Sequence, residues 1–276
     1  MNAFLKPTSA ILIAVLAAAL AVQTESARAA NYVMTGNDGV GMSSFNTGLN
    51  WPGGLAPEPG NTYQTANFLL RTPSVTGSSF TFAGDSLEVQ AGGTLRNKTQ
   101  AGTITIDNLI LAEGAVVELS QPGNPAVNNN TALGELAGNI TLNGLAVLRA
   151  GNANDAAGET FIIRSTLSGT GGLITSGSTG NLILAATNTH TGPTIAGGGT
   201  LVIGWNDPHG LTPMMVTNAN SVLRFATNIQ YTSAYELAIS TANTAGSIRV
   251  DPGAVATFRG LTGGSGGSAS VWVGGG

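Results

Sequence analysis

Between Leu167 and Gly204 the chain reads LSGTGGLITSGSTGNLILAATNTHTGPTIAGGGTLVIG. Three short apolar runs lie in it, Leu173-Ile174, Leu182-Ile183-Leu184 and Leu201-Val202-Ile203, separated by Gly, Ser, Thr and Asn with almost no charge. Runs of this length, bounded by small turn formers, read as strands joined by turns. A hairpin sheet with one wet face would carry Lys and Glu at its polar positions. Here those positions are small and neutral. Small turn residues with one apolar stripe per turn let a chain coil and stack on itself, each coil burying its stripe against the next. The stretch predicts an all-β fold, a parallel β-solenoid.

Four motifs follow one another here: Leu167-Ser168-Gly169-Thr170-Gly171-Gly172-Leu173, Gly180-Asn181-Leu182-Ile183-Leu184, Asn188-Thr189-His190-Thr191-Gly192 and Gly198-Gly199-Thr200-Leu201. Their order and spacing resemble the autotransporter-associated β-strand repeat, or passenger-associated transport repeat, with its GxGGL, GxLxLSG, NTYTGGT and closing GTL. His190 stands where that family has Tyr, and Pro193 where it has Gly; both departures fall in a turn. The resemblance implies a right-handed parallel β-helix on an exported bacterial surface protein. It implies no reaction.

Composition agrees with a solenoid and excludes several functions. Only 9% of the residues are charged, against ~25% in ordinary globular proteins. Gly accounts for 40 of 276 residues, and 42% of the chain is hydrophobic. The hydrophobic residues are clustered, which argues against disorder. The net charge is −4, with no basic run after residue 30, so nucleic acid is not an expected partner. The absence of cysteine excludes disulfides and thiolate metal sites.

The first residues read as a secretory signal peptide, 1–29. Lys6 gives the positive start, Ala10 to Val22 an apolar run, and Ala27-Arg28-Ala29 a small-x-small cleavage site, with the cut after Ala29 or Ala30. The apolar run is shorter than the ~20 residues that span a bilayer. No later segment is long and apolar enough to do so, so the mature chain is expected to have no transmembrane helix.

Residues 30–84 are rich in aromatics, among them Tyr32, Phe45, Trp51, Tyr63, Phe80 and Phe82, and contain a Pro-rich turn from Trp51 to Gly60. A solenoid needs an atypical end to cover its open first coil, so this segment is expected to be an N-terminal cap. Trp51 and Tyr63 are also the candidate sugar or partner contacts, since exposed aromatic rings stack on sugars. Packing within the cap is the competing reading.

From 85 to 276 one unit recurs, a strand, a Gly/Asn turn and a second strand, at ~20–30-residue spacing. The Asn-rich loop 124–130 reads as an insertion. Asn152, Asn154, Asn188, Asn218 and Asn220 are candidates for stacked amide ladders. Leu261 to Gly267 looks like another repeat beginning, and Val271-Trp272-Val273 like another strand. The chain then ends in Gly274-Gly275-Gly276 without a polar cap, which reads as a truncation and suggests association through an uncapped C-terminal coil.

Candidate chemistry is sparse. A glycosidase-like pair needs two carboxyls about 5–10 Å apart, which in a solenoid means acids one coil apart or at i and i+2. The nearest pairs, Asp85 with Glu88 and Glu113 with Glu118, lack the i, i+2 spacing and read as solvated turn acids. His190 and His209 are the only histidines, and a metal site needs more ligands than two distant histidines offer. Gly36-Asn37-Asp38-Gly39-Val40-Gly41 resembles a calcium-binding Gly/Asp repeat but occurs once. No catalytic, cofactor-binding or metal-binding residues are assigned.

The sequence therefore predicts an exported, non-catalytic surface or passenger protein, located outside the cell or on the bacterial outer membrane. It would be a structural or adhesive rod presenting loops to surface glycans or protein partners. A carbohydrate-binding or polysaccharide-degrading β-helix protein is the alternative.

Overall fold

The computed structural model describes residues 29–120, 133–151, 159–177, 180–206, 212–218, 221–239, 247–263 and 270–273. The predicted signal peptide up to residue 28, the 124–130 loop, Asn152, Asn154, His209 and Asn220 lie outside the described residues. The chain divides into two units, 1–30 and 31–276, of which the second carries all the strands described below.

Local alternation builds the strands. Ser86–Val89, Thr94–Asn97, Thr160–Ile163 and Asn181–Leu184 each alternate a half-exposed residue with a buried one. A strand's side chains point to opposite faces in turn, so each strand presents one buried face. The described strands pair in parallel, in a 13-stranded sheet, a nine-stranded sheet and a two-stranded one. Successive coils contribute one rung to each large sheet, so this is a parallel β-solenoid.

Register places like residues on like. In the larger sheet Tyr63, Leu87, Leu109, Ile140 and Leu167 form one buried column. A second runs through Ile104, Leu136, Ile163, Leu184, Ile203 and Phe225. The nine-stranded sheet answers with Leu70, Leu95, Val117 and Leu148. The interval along the chain lengthens at each step from Leu184 to Ile203, Phe225 and Val250, yet these four stand in register. Coil length varies, and the inward residue still returns to its column.

The turn between the sheets explains the glycines of the 167–204 stretch. Gly144, Gly171 and Gly192 lie one above another. Gly171 N–H donates to Leu142 O at 2.8 Å, Gly172 N–H to Gly144 O at 3.2 Å, and Gly192 N–H to Gly171 O at 3.1 Å. A β-carbon on Gly171 would be driven into the Gly144 backbone, and one on Gly192 into that of Gly171. The chain turns here by backbone lying directly on backbone. Elsewhere Asp107 is an extra residue between Ile106 and Asn108, which pair with Gly138 and Asn139. Gly138 lies opposite that bulge at φ 105°, a conformation open to glycine.

The 30–84 segment both closes the stack and contributes to it. Asn31–Val33 pairs with Thr62–Gln64, which pairs with Ser86–Val89, and Leu69–Arg71 pairs with Thr94–Asn97. A single aromatic cluster covers the first rungs. Tyr63 meets Trp51 edge-on at 5.0 Å, Phe82 edge-on at 5.3 Å and Tyr32 in a stack at 5.3 Å.

The amide ladders take a different form from the expected one. Asn188 Oδ1 accepts from Leu167 N–H at 2.9 Å, and Asn218 Nδ2 donates to Gly197 O at 3.3 Å. Each ties its turn to the backbone of the coil before it. The amides that occupy adjacent rungs are Asn108 and Asn139 at the bulge, bonded to Asp85 O and Asp107 O.

Chemical denaturation tests this architecture. Leu184→Ala, which opens a cavity in a fully buried column, should cost about 2–5 kcal/mol, whereas Leu55→Ala on the exposed loop should change stability by less than about 0.5 kcal/mol. Gly171→Ala should cost at least about 1–3 kcal/mol through overpacking; a neutral result would show that the coils are not in backbone contact at this turn.

Candidate functional site

Trp51 and Tyr63, the two aromatics put forward as sugar contacts, are 3% and 2% exposed. Trp51 Nε1–H donates to Ser44 O at 2.7 Å, and Tyr63 OH accepts from Glu58 N–H at 2.9 Å. Burial pushes the Tyr63 hydroxyl above its ordinary pKa, against the lowering effect of that bond. Both rings are packed in the core, Tyr63 also in a stack with Tyr32, and have no free face for a sugar. The aromatics that close the first coil are consumed in closing it, which corrects the assignment of Trp51 and Tyr63 as contact residues.

Asp38, in the calcium-like stretch, is a buried staple. Its Oδ2 accepts from Ser44 N–H at 2.9 Å and Arg71 N–H at 2.8 Å; its Oδ1 accepts from Ser44 Oγ at 2.5 Å and Asn50 Nδ2 at 2.8 Å. Four donors satisfy the carboxylate and pin the 34–51 loop to the sheet. His190 is buried, with Nε2 3.0 Å from Thr194 Oγ1. Among the described residues no three His, Asp or Glu side chains are grouped to hold a metal.

The acids are not all solvated turn residues. Asp85 accepts from Gly60 N–H, Glu88 from Gln64 Nε2 and Glu113 from Leu145 N–H. Glu118 is fully buried and lies between two arginines. Arg96 Nε reaches its Oε1 at 2.5 Å; Arg149 Nε and Nη2 reach its Oε2 at 2.9 and 2.6 Å. The arrangement follows from register: Arg71, Arg96, Glu118 and Arg149 occupy one column of the nine-stranded sheet. Alternation turns Leu95, Val117 and Leu148 inward and this charged column the other way.

The column ends at a concavity. The loop carrying Met42, Ser43, Thr47 and Leu49 faces Arg71 to Ser74 and Lys98 across a space of about 490 Å³. Arg71 is 8% exposed, and its Nε donates to Asp38 O at 3.1 Å. Burial first, and Arg96 second, hold the Arg71 guanidinium below its ordinary pKa, with Asp38 and Glu118 opposing. Lys98 Nζ donates to Ser120 O at 3.0 Å.

Sequence reasoning missed this site because it sought a basic run. The column members recur about one coil apart. A search for charges recurring at the coil spacing, applied to acids alone, would have found the column had it included arginine.

No protein-family model, curated protein or solved structure matches this chain.

The ion pairs can be tested one carboxylate at a time. Glu118→Ala leaves Arg96 and Arg149 facing each other without a counter-charge, and should cost about 2–3 kcal/mol in a denaturant titration. That is below the ~3–5 kcal/mol of a fully enclosed pair, because both arginines are partly exposed. Glu135 is held below its ordinary pKa chiefly by its hydrogen bonds from Arg164, with Thr103 assisting and burial opposing. A carboxyl with a depressed folded-state pKa stabilises above its unfolded value, and the benefit disappears as pH falls through the folded value. Arg164 is half exposed, so the effect should be no more than about 1 kcal/mol. Thermal melts of Glu135→Gln should lie below those of the unsubstituted protein at neutral pH and converge with them in acid.

Proposed function

We propose that this chain is an exported, non-catalytic surface or passenger protein whose solenoid is a stiff element presenting loops to a partner. The observation that carries the reading is the continuity of the stack. The larger sheet runs from Asn31–Val33 to Ser270–Val273 without a break in parallel pairing. Successive rungs are bonded backbone to backbone, and the buried columns continue through successive coils. Such a stack resists bending and separates the loops at its two ends.

Export is supported by the signal-peptide pattern at 1–29, and the surface location by the resemblance of 167–204 to the autotransporter-associated repeat. The partners proposed are surface glycans or proteins met by the loops rather than by the packed aromatics.

Expression of the full chain in a bacterial host tests this. The mature protein should begin at Ala30 or Asn31 by mass and be recovered outside the cytoplasm. Incubation of the purified protein with plant and bacterial polysaccharides should release no new reducing ends. Uncleaved chain retained in the cytoplasm would sink the export reading; new reducing ends would sink the non-catalytic one.

A further inference from the structure

We propose that the concavity between the 41–49 loop and the Arg71 end of the nine-stranded sheet binds a carboxylate-bearing saccharide, with Arg71 as the principal contact and Lys98 beside it. This rests on the display reading and deepens it by naming a partner class. It can fail separately, because binding by the purified protein does not depend on where the protein is delivered.

Arg71 and Lys98 line the concavity, Asp38 lies in the loop beside it, and Arg96, Glu118 and Arg149 follow Arg71 on successive rungs. Both carboxylates are engaged. Asp38 takes two backbone and two side-chain donors, and Glu118 takes Arg96 and Arg149. The Arg71 side chain is bonded to a backbone carbonyl and to no carboxylate, in a chain whose net charge is −4.

Two arginine pairs stack in register, Arg71 on Arg96 and Arg224 on Arg249. Neighbouring rungs are ~4.8 Å apart, so a like-charged pair is unfavourable unless neutralised. The second pair shares Asp251, which Arg224 Nε and Nη2 reach at 2.9 and 2.6 Å and Arg249 Nε at 3.5 Å. In the first pair Arg96 has Glu118, while Arg71 has the Asp38 backbone carbonyl. The two terminal nitrogens of Arg71 donate to no protein group among the described residues. Arg71, which lines the cavity, lacks the carboxylate partner that its counterpart Arg224 has.

A guanidinium fork matches the two oxygens of a carboxylate. About 490 Å³ is within the range of small-ligand sites. Ser74 supplies an exposed hydroxyl to the wall, and Met42 and Leu49 supply apolar surface, while Ser43 and Thr47 donate their hydroxyl protons to Arg71 O and Ser43 O and Thr72 Oγ1 accepts from Lys98 N–H. Hydroxyls beside short apolar patches complement a sugar ring, whose edges are polar and whose faces are not.

Calorimetric titration of the purified full chain with oligogalacturonate tests the assignment. Methyl-esterified oligogalacturonate and poly-glutamate serve as comparison ligands. The acid oligosaccharide should bind saturably and more weakly as salt rises, with the esterified form at least about tenfold weaker. Ser74→Trp, which fills the cavity from an exposed position, and Arg71→Gln should each lower affinity at least about tenfold. Arg164→Gln, in the connection after Thr160–Ile163, should not. Because Arg71 also holds the Asp38 loop, melting curves accompany every variant, and Ser74→Trp decides the matter if Arg71→Gln unfolds. Absence of saturable binding would overturn the proposal, as would binding that survives Ser74→Trp or is indifferent to esterification. Tighter, Ser74→Trp-sensitive binding of poly-glutamate would transfer the site to acidic peptides and overturn the saccharide assignment.

Discussion

Parallel stacking in register is the constraint from which the rest of this structure follows. Each rung gives its backbone donors and acceptors to the rungs on either side, and in doing so sets each side chain directly over one from the neighbouring coil. What a position can hold then depends on whether it tolerates a similar residue one spacing away. Leucine on leucine is favourable, and the buried columns are built from such aliphatic pairs. Each fully buried aliphatic side chain contributes roughly 1.5–3 kcal/mol, and the columns accumulate that contribution coil by coil. Glycine on glycine is required where backbone lies on backbone, as at Gly144, Gly171 and Gly192.

The same rule makes charge costly, and this explains both its scarcity and its placement. An arginine that stacks on an arginine needs a carboxylate within reach. The chain supplies Glu118 between Arg96 and Arg149, and Asp251 beside Arg224 and Arg249. These are internal counter-ions of the sheet faces, and the burial of Glu118 follows from the two arginines that close over it. Arg71 departs from the rule, and it does so beside a cavity. The order at the N-terminal end is also hierarchical. The aromatics seal the first rungs, Asp38 fixes the loop over them, and the loop then forms one wall of the space that Arg71 enters.

How much of this was legible depended on whether the signal was periodic along the chain or only across coils. The short apolar runs and the Gly-rich turns of 167–204 are local signals, and each run became a strand. The aromatic segment was legible as a closure, but the exposure of its rings was not. Trp51 and Tyr63 pack against each other from either side of the Pro-rich turn, and nothing in the sequence says which ring faces are covered. A linear reading sets Glu118 beside Glu113, as a turn acid. In the sheet its neighbours are Arg96 and Arg149.

The sequence by itself determined that this chain coils: small neutral turns, an apolar stripe for each turn and too little charge for a helix-covered surface admit few other solutions. It also determined the inward residues of the strands that alternate, such as Ser86–Val89 and Asn181–Leu184, because alternation is a property of the strand alone. Only the tertiary structure decided which residues stand above one another. Coil length changes from one turn to the next, as it does from Leu184 through Ile203 and Phe225 to Val250, and the turns absorb the difference. That register brought Arg71, Arg96, Glu118 and Arg149 into one column and left the first of them without a carboxylate of its own.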